Sequence, residues 1–291
     1  MLSRETPSWQ ALCDQIGVAG LAVPEEYGGA GASLAEVAVV LEELGRTLAA
    51  VPMLSSALTS QALLLGGDAA ACGRLLPLIA SGAVASVLWA ESPTATVPYV
   101  LDGDIAEILL IATPSGLFEA DPATTRRVHT PTMDSSRRLA TVELSGGTPL
   151  GSAVPQLRDI ARILLSTEQV GTAQRCLDMT VEYTKARVQF GRPIGSFQAL
   201  KHRMADMYVL VETARSIAYA AVSAPSPTLA AAASAHCTAA LSTVAGEMIQ
   251  LHGGIAITWE HDAHRYFKRA HGSAQLFAAG APTASRRAEA R

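Results

Sequence analysis

Residues 187–198 most constrain how this chain can fold, because they interrupt two long stretches of helical periodicity. Apolar residues recur near helical spacing before this segment and again after it. Gly191, Pro193 and Gly195 break regular helix, so the first helix must end here. Ser196 is predicted to cap the second helix. The segment therefore predicts a tight turn between two long helices.

The same turn carries side chains that suit a phosphate-bearing ligand. They are one guanidinium, two amides and one aromatic ring, on Arg187, Gln189, Gln198 and Phe190. An arginine fork and the free N–H groups of a helix N-terminus both bind phosphate oxygens. Spacing alone equally allows a plain helix–helix corner with a solvated arginine, so both interpretations stay open at this point.

The composition indicates a protein whose surface is partly covered by other subunits. Hydrophobic residues make up 49% of the 291 and charged residues 16%, which is a thin charged coat. The net charge of −4 gives no support to nucleic-acid binding. The apolar segment from Leu229 to Ala240 is short for a transmembrane helix, and the N-terminus lacks a secretory pattern. We therefore expect no membrane association and a cytoplasmic location.

The cysteines do not indicate a metal site. They are isolated in helix-like surroundings at Cys13, Cys72, Cys176 and Cys237. Because paired metal-ligand spacing is missing, they are expected to be buried free thiols in a reducing compartment, and no metal ion is predicted.

Three regions of different periodicity divide the chain. Residues 1–82 show helical periodicity broken by a glycine-rich loop, and Ser33 with Glu36 has the spacing of a capping box. Residues 83–152 contain short β-branched runs between turn residues, typical of a small β domain. Residues 153–291 favour an antiparallel four-helix bundle. The sequence thus predicts a mainly α fold with an N-terminal helical domain, a shortened β domain and a C-terminal bundle.

The individual elements follow from the same patterns. Helices are predicted at Trp9–Ile16, Leu34–Leu48, Leu54–Leu65, Ala69–Ala80, Leu157–Lys185, Ser196–Val222, Thr228–Leu251 and His261–Phe277. Strands are predicted at Val84–Trp89, Ile108–Ala112, Leu117–Glu119, Arg126–His129 and Ala140–Leu144.

Three motifs stand in a fixed order along the chain. They read Val-Pro-Glu-Glu-Tyr-Gly-Gly-Ala-Gly at 23–31, Arg-Val-Gln-Phe-Gly-Arg-Pro-Ile at 187–194 and Gln-Leu-His-Gly-Gly-Ile-Ala-Ile-Thr-Trp-Glu at 250–260. With the helical–β–helical layout, the chain resembles the acyl-CoA dehydrogenase family over nearly its whole length. The resemblance implies FAD as cofactor and α,β-dehydrogenation of an acyl-CoA thioester. In that reaction a carboxylate removes the α-proton while a hydride passes to the flavin.

The resemblance also implies which residues reach the cofactor. The matching residues are Arg187, Gln189, Phe190, Ile194, Gln198, Gln250 and Gly254. The first five match positions at the pyrophosphate and adenine end of a neighbouring subunit's FAD, and the last two match positions that close over its pyrophosphate. For Gln250 and Gly254 alone, an ordinary helix C-terminus is the alternative.

The catalytic carboxylate of the family has no counterpart at either expected position. Ala278 stands where the common pattern has the base near the end of the bundle. Ala161 lies near the position where other members carry it on the first bundle helix, and no glutamate is found there. Glu260 matches a glutamate that is usual in the family but is not its base. No catalytic residue is therefore predicted in this chain, with Glu260 as the alternative.

The β domain departs from the family as well. The run from Trp89 to Thr94 lacks the Gly-Ser-Asp portion of the loop that wraps the flavin and the thioester. The chain thus resembles the short, degenerate subunits of actinobacterial α2β2 acyl-CoA dehydrogenases of steroid catabolism. This implies a full-length acyl-CoA dehydrogenase homologue as partner, which supplies the base, an acyl-CoA or steroid-CoA substrate, and an electron-transfer flavoprotein as acceptor.

Two other functions remain in competition with the heteromeric enzyme. One is a non-catalytic scaffold or regulator that kept the fold and lost the flavin. The retained Arg187, Gln198, Gln250 and Gly254 argue against it, because a scaffold has no need of residues that face a pyrophosphate. The other is an active homo-oligomer that uses Glu260 as base, against which the alanines at both expected base positions argue.

Overall fold

The structure is a computed structural model and describes residues 8–277 of the chain. These residues form two compact units, one of residues 8–37 and 50–161 and the other of residues 38–49 and 162–277. The mainly α fold with a small β portion is confirmed. The division into three domains at residues 82 and 152 stays a prediction.

Helices of the first unit end where the local sequence predicts. They are α1 (Trp9–Ile16), the start of α2 (Leu34–Thr47), α3 (Met53–Gly66) and α4 (Ala69–Ala80). The predicted capping box at α2 is confirmed: the Glu36 carboxylate accepts the Ser33 N–H at 2.8 Å, and the Ser33 hydroxyl accepts the Ala35 N–H at 3.1 Å. These bonds satisfy N–H groups that have no partner within the helix.

Replacing Ser33 by alanine is expected to lower the free energy of unfolding by about 1 kcal/mol, because one acceptor of the capping box is lost. The change is measured as a lower urea midpoint at an unchanged slope. Glu36→Gln keeps an acceptor for the Ser33 N–H and should cost less. A Ser33→Ala midpoint equal to that of the wild type would show that the cap contributes nothing.

Two sheets complete the first unit. The four-stranded sheet has the order β1-β3-β4-β7, in which β1 and β3 are parallel and the other pairs antiparallel. The antiparallel three-stranded sheet has the order β2-β6-β5. The bounds are β1 (Ala85–Trp89), β2 (Thr96–Leu101), β3 (Ile108–Thr113), β4 (Gly116–Ala120), β5 (Arg126–His129), β6 (Leu139–Glu143) and β7 (Thr148–Gly151). A buried cluster that includes Leu109, Ile111, Val100 and Val142 draws on both sheets.

The sequence predictions missed strands β2 and β7. Each contains a proline, Pro98 in β2 and Pro149 in β7, and proline within a run argues against a strand because it lacks the ladder N–H. Both strands lie at the edge of their sheet, and β2 also changes register between Val97 and Val100. An edge position and an irregular register are where a sheet tolerates proline.

The second unit contains the helical bundle. Its helices are α5 (Leu157–Ala186) from residue 162 on, α6 (Gln198–Ser223), α7 (Pro227–His252) and α8 (Ala263–Ser273), with the last part of α2. The core is apolar and includes Met207, Val211, Leu241, Val244 and Met248. The predicted bundle helices are confirmed, although α8 is shorter at both ends than predicted.

Helix α7 and the turn after it are longer than the short apolar segment considered from the sequence. Pro227–Ile257 is apolar and long enough to cross a membrane by length and composition alone. Its residues Ala233, Leu241 and Val244 are nevertheless buried within this chain. A central helix of a bundle shows this pattern, because its apolar residues face the neighbouring helices.

Candidate functional site

The turn at residues 187–198 begins with a β-hairpin whose loop has two residues. Strand β8 (Val188–Gln189) pairs antiparallel with β9 (Arg192–Pro193). Phe190 and Gly191 connect them with φ angles of 53° and 75°, as both central residues of a type I′ turn require. Glycine adopts this conformation freely, whereas phenylalanine in it costs roughly 1–2 kcal/mol. The hairpin therefore holds Phe190 in a strained conformation, and the residue is 91% exposed.

The polar side chains of the hairpin project into solvent. Arg187, Gln189 and Gln198 are exposed and Ile194 is half-buried. The backbone is fixed on both sides, because the Arg187 N–H donates to the Tyr183 carbonyl and the Ile194 N–H donates to the Arg187 carbonyl, each at 2.8 Å. Within residues 8–277 the Arg187 guanidinium forms no ion pair. Its donors are therefore available to an anion from outside this chain.

The start of α6 differs from the sequence prediction. Phe197, not Ser196, is the N-cap residue, and no side chain caps the first turn. The Ser196 hydroxyl instead donates to the Pro193 carbonyl at 2.7 Å, so it is used within the hairpin. An uncapped first turn leaves N–H groups and the positive end of the helix dipole beside the hairpin.

Aromatic contacts fix the ring of Phe197 beneath the hairpin. The Arg192 guanidinium lies 4.0 Å from the centre of this ring, and the ring of Phe190 meets it edge-on at 6.1 Å. The Gln198 amide lies 3.1 Å from Nε2 of His202 on the next turn of α6. These contacts fix the side chains that lie under the exposed surface of the hairpin.

Gln250 and Gly254 lie at the end of α7. Gln250 is exposed in the last turn, and Gly253 ends the helix with a φ of +67°. Gly254 is exposed in the following 3₁₀ turn, and a Cβ placed on it would meet nothing within 4 Å. Packing within this chain therefore does not require glycine at 254, and a close approach by an outside group would explain it.

Three rings in mutual contact, two of them stacked, join the hairpin to the end of α7. Tyr183 lies one turn before Arg187 on α5, and its ring stacks on that of His252 with centres 4.4 Å apart. His261 packs against the other two rings, 4.6 Å from His252 and 6.1 Å from Tyr183. The residues predicted at the hairpin and at the end of α7 therefore lie at the same end of the bundle.

Sequence reasoning missed Tyr183 and His252 as members of this region. His252 stands inside the quoted motif at 250–260, between the two residues singled out there, so the signal was present. Tyr183 lies in the last turn of α5, four residues before Arg187, which directly follows the helix end. Its contact with His252 joins residues 69 positions apart, and no local pattern predicts such a pair.

The expected base positions and the carboxylates near them lie in different surroundings. Glu260 is exposed, and Ala161 is fully buried on α5. Glu168 is buried on α5, where its carboxylate accepts a hydrogen bond from the buried Arg269 guanidinium at 2.6 Å. Ala278 lies outside the described residues. Among the described residues, no group of acidic, histidine or cysteine side chains could hold a metal ion.

The donor set matches the chemistry of a dinucleotide pyrophosphate. It combines a forked guanidinium, exposed amides, an uncapped helix N-terminus and glycines with open space in front of them. Each of these groups binds phosphate oxygens or lets a backbone approach them closely. The residues present therefore fit FAD presented from outside this chain.

Two family models match the chain. The model described as "Acyl-CoA dehydrogenase, N-terminal domain" matches residues 2–83, and "Acyl-CoA dehydrogenase, C-terminal domain" matches residues 155–277. Curated relatives include acyl-CoA dehydrogenase IpdE2 of Mycobacterium tuberculosis, 50% identical over 273 residues that cover 92% of this chain and 81% of the relative. IpdE2 of Mycolicibacterium smegmatis is also 50% identical and covers 92% and 82%.

Two solved structures among those with the same fold are similar to this chain over most of its length. The Tcur3481-Tcur3483 steroid ACAD superposes with a TM-score of 0.83 at 29% identity, covering 94% of this chain and 84% of that one. The ChsE4-ChsE5 complex from Mycobacterium tuberculosis has a TM-score of 0.83 at 28% identity, covering 92% and 83%.

Proposed function

This chain belongs to the acyl-CoA dehydrogenase family, and we propose that it is one subunit of a heteromeric, FAD-dependent acyl-CoA dehydrogenase. A full-length homologue is its partner in an α2β2 heterotetramer and supplies the catalytic base. This chain completes the partner's FAD site with the residues at the hairpin and at the end of α7. The reaction introduces an α,β double bond into a CoA thioester.

The outward-facing donor set at one end of the bundle is the observation that carries the proposal. Arg187 is exposed and forms no ion pair among residues 8–277, and Phe190 is 91% exposed in a strained conformation. Such strain persists where the surrounding structure enforces it, often at binding sites. A neighbouring subunit with its FAD would cover Phe190 and place an anion beside the Arg187 guanidinium. This supports a site shared between subunits.

The chain's own residues have binding roles in this mechanism. FAD supplies the acceptor for the substrate hydride when it is bound. Arg187 and the first turn of α6 neutralise pyrophosphate charge, while Gln189, Gln198 and Gln250 donate hydrogen bonds. Phe190 and Ile194 exclude water from the adenine end, and Gly254 allows the α7 terminus to approach the phosphates.

The substrate class is proposed from the relatives. The Tcur3481-Tcur3483 enzyme is described as a steroid ACAD, and this chain is 29% identical to the superposed subunit. A steroid-derived CoA thioester is therefore the proposed substrate, an electron-transfer flavoprotein the proposed acceptor and the cytoplasm the proposed location. The description of ChsE4-ChsE5 as a complex supports the heteromer.

Flavin counting tests the proposal directly. The chain alone is expected to be colourless or insoluble, because the flavin-wrapping loop of its β domain is missing. Co-expressed with a full-length homologue, it should give a yellow complex with one FAD per heterodimer. A yellow homo-oligomer with stoichiometric FAD would contradict the proposal. A colourless, stable complex would favour the scaffold instead.

Replacing Glu260 by glutamine in the assembled complex is expected to leave most of the activity. Glu260 is exposed, whereas a base for the α-proton requires a water-poor pocket. The measurement is kcat, with FAD content and assembly determined on the same sample. A fall of several orders of magnitude with FAD and assembly intact would place the base in this chain and favour the homo-oligomer.

A further inference from the structure

His252 occupies a position that packing alone does not explain. Its ring is 4% exposed and lies against Tyr183 from α5 and against His261 from the stretch before α8. Nδ1 lies 2.7 Å from the Met248 carbonyl oxygen, so Nδ1 carries the proton and donates it. Nε2 is then a bare acceptor.

That acceptor is buried without a hydrogen-bond partner among residues 8–277. Leaving a buried acceptor unpaired is unfavourable, and a phenylalanine ring could fill the same stack without it. The histidine is thus a less stable choice for the stack itself. Its value must come from holding the segment around it through the ring and the bond to Met248 together.

His261 is likewise held uncharged. Its Nδ1 accepts the Ala263 N–H at 3.1 Å, at the N-terminus of α8, so a proton there would break this bond. Burial lowers the pKa of both histidines, and for His261 the nearby Arg175 acts in the same direction while Asp262 opposes it. The titratable and charged groups around the stack are Tyr183 and Arg175 from α5, His261 and Asp262 before α8, and His264 on α8.

We propose that His252 is a positioning residue for the FAD site: its uncharged ring, packed against both Tyr183 and His261, fixes the position of Gln250 and Gly254 relative to Arg187. Gln250 and Gly254 each lie two residues from His252, and Arg187 lies one helical turn from Tyr183. The contact of Tyr183 with His252 therefore links the segment that carries Arg187 to the segment that carries Gln250 and Gly254. This inference rests on the proposed function.

The pH dependence of FAD affinity separates this role from a purely structural one. Protonated His252 would place a charge beside His261 in a buried stack, so the arrangement that binds FAD requires the neutral ring. Affinity should be constant above the ordinary histidine pKa of about 6.5 and fall as the pH drops below the lowered pKa of His252. The fall comes from proton binding to the FAD-free complex, and one such group gives up to about tenfold per pH unit.

The experiment measures the dissociation constant of FAD from the heteromeric complex between pH 7.5 and 5 by flavin fluorescence. His252→Ala removes the ring and should raise the dissociation constant of FAD about tenfold at pH 7.5, which corresponds to about 1.4 kcal/mol. His252→Phe keeps an aromatic ring, so its FAD dissociation constant should be within about threefold of the wild-type value at pH 7.5. This variant should not show the loss of FAD affinity at acidic pH. His236→Phe, at a half-buried position 16 residues before His252 on the same helix, should behave as the wild type.

An His252→Phe complex that keeps the wild-type acid dependence overturns the proposal, even if His252→Ala fails to assemble. So does an His252→Ala complex with wild-type affinity at pH 7.5. Arg187→Ala distinguishes these outcomes from failure of the proposed function. If Arg187→Ala weakens FAD binding while the His252 variants do not, only the positioning role is wrong.

Discussion

Replacing Gly171 by alanine is expected to lower the free energy of unfolding by about 3 kcal/mol, the upper end of typical overpacking costs. On α5, a Cβ at Gly171 would overlap the Glu42 carbonyl oxygen of α2 and lie 3.1 Å from the Arg46 nitrogen. Gly45 makes the reciprocal approach, since a Cβ there would overlap the Glu168 carbonyl oxygen. Both obstacles are backbone, so no side-chain rotation relieves the overlap.

Urea unfolding of the assembled complex, followed by helical circular dichroism, measures this effect. Gly246→Ala is the matched control, because Gly246 lies within α7 and a Cβ there meets nothing within 4 Å. This control should be neutral or stabilising by about 0.5–1 kcal/mol, as alanine favours helix over glycine. If Gly171→Ala behaves like Gly246→Ala, the close approach of the two helices is not a real constraint.

Replacing Arg187 by alanine is expected to weaken FAD binding to the heteromeric complex by about one to two decades. A hydrogen bond to a charged group contributes roughly 1.5–3 kcal/mol, which corresponds to that range of dissociation constant. Lysine at this position should restore part of the affinity, since a point charge cannot reproduce the fork. The measurement is a FAD titration of the apo complex.

Activity should recover in Arg187→Ala when FAD is added in excess, because the residue holds the cofactor and transfers no proton. Lys185→Ala is the matched control, since it removes a positive charge from the exposed last turn of α5, two residues before Arg187. Its FAD affinity should stay within about threefold of the wild type, because a single exposed point charge contributes roughly 0–1 kcal/mol. Equal dissociation constants for wild type and Arg187→Ala would mean that Arg187 is only a solvated helix end.

The sequence by itself determined the helices and the exposed ends of the site. Apolar periodicity over long segments predicted α5, α6 and α7 within a few residues, because one buried stripe repeats at the helical period. Glycine and proline located the turn at 187–198, and the capping box at Ser33 was readable from spacing alone. The two strands that contain proline were missed, because a sheet tolerates proline at its edge and the local sequence does not show which strands lie at an edge.

Only the tertiary structure decided how these pieces act together. Three features depend on contacts that only the folded chain makes. They are the αL conformation of Phe190, the stacking of His252 on Tyr183 and the close backbone approach of α2 to Gly171. Gly171 approaches Glu42 across 129 positions of sequence and Tyr183 meets His252 across 69, and periodicity describes only neighbours within a few turns. The sequence therefore determined which surfaces are apolar, and packing determined which residues meet.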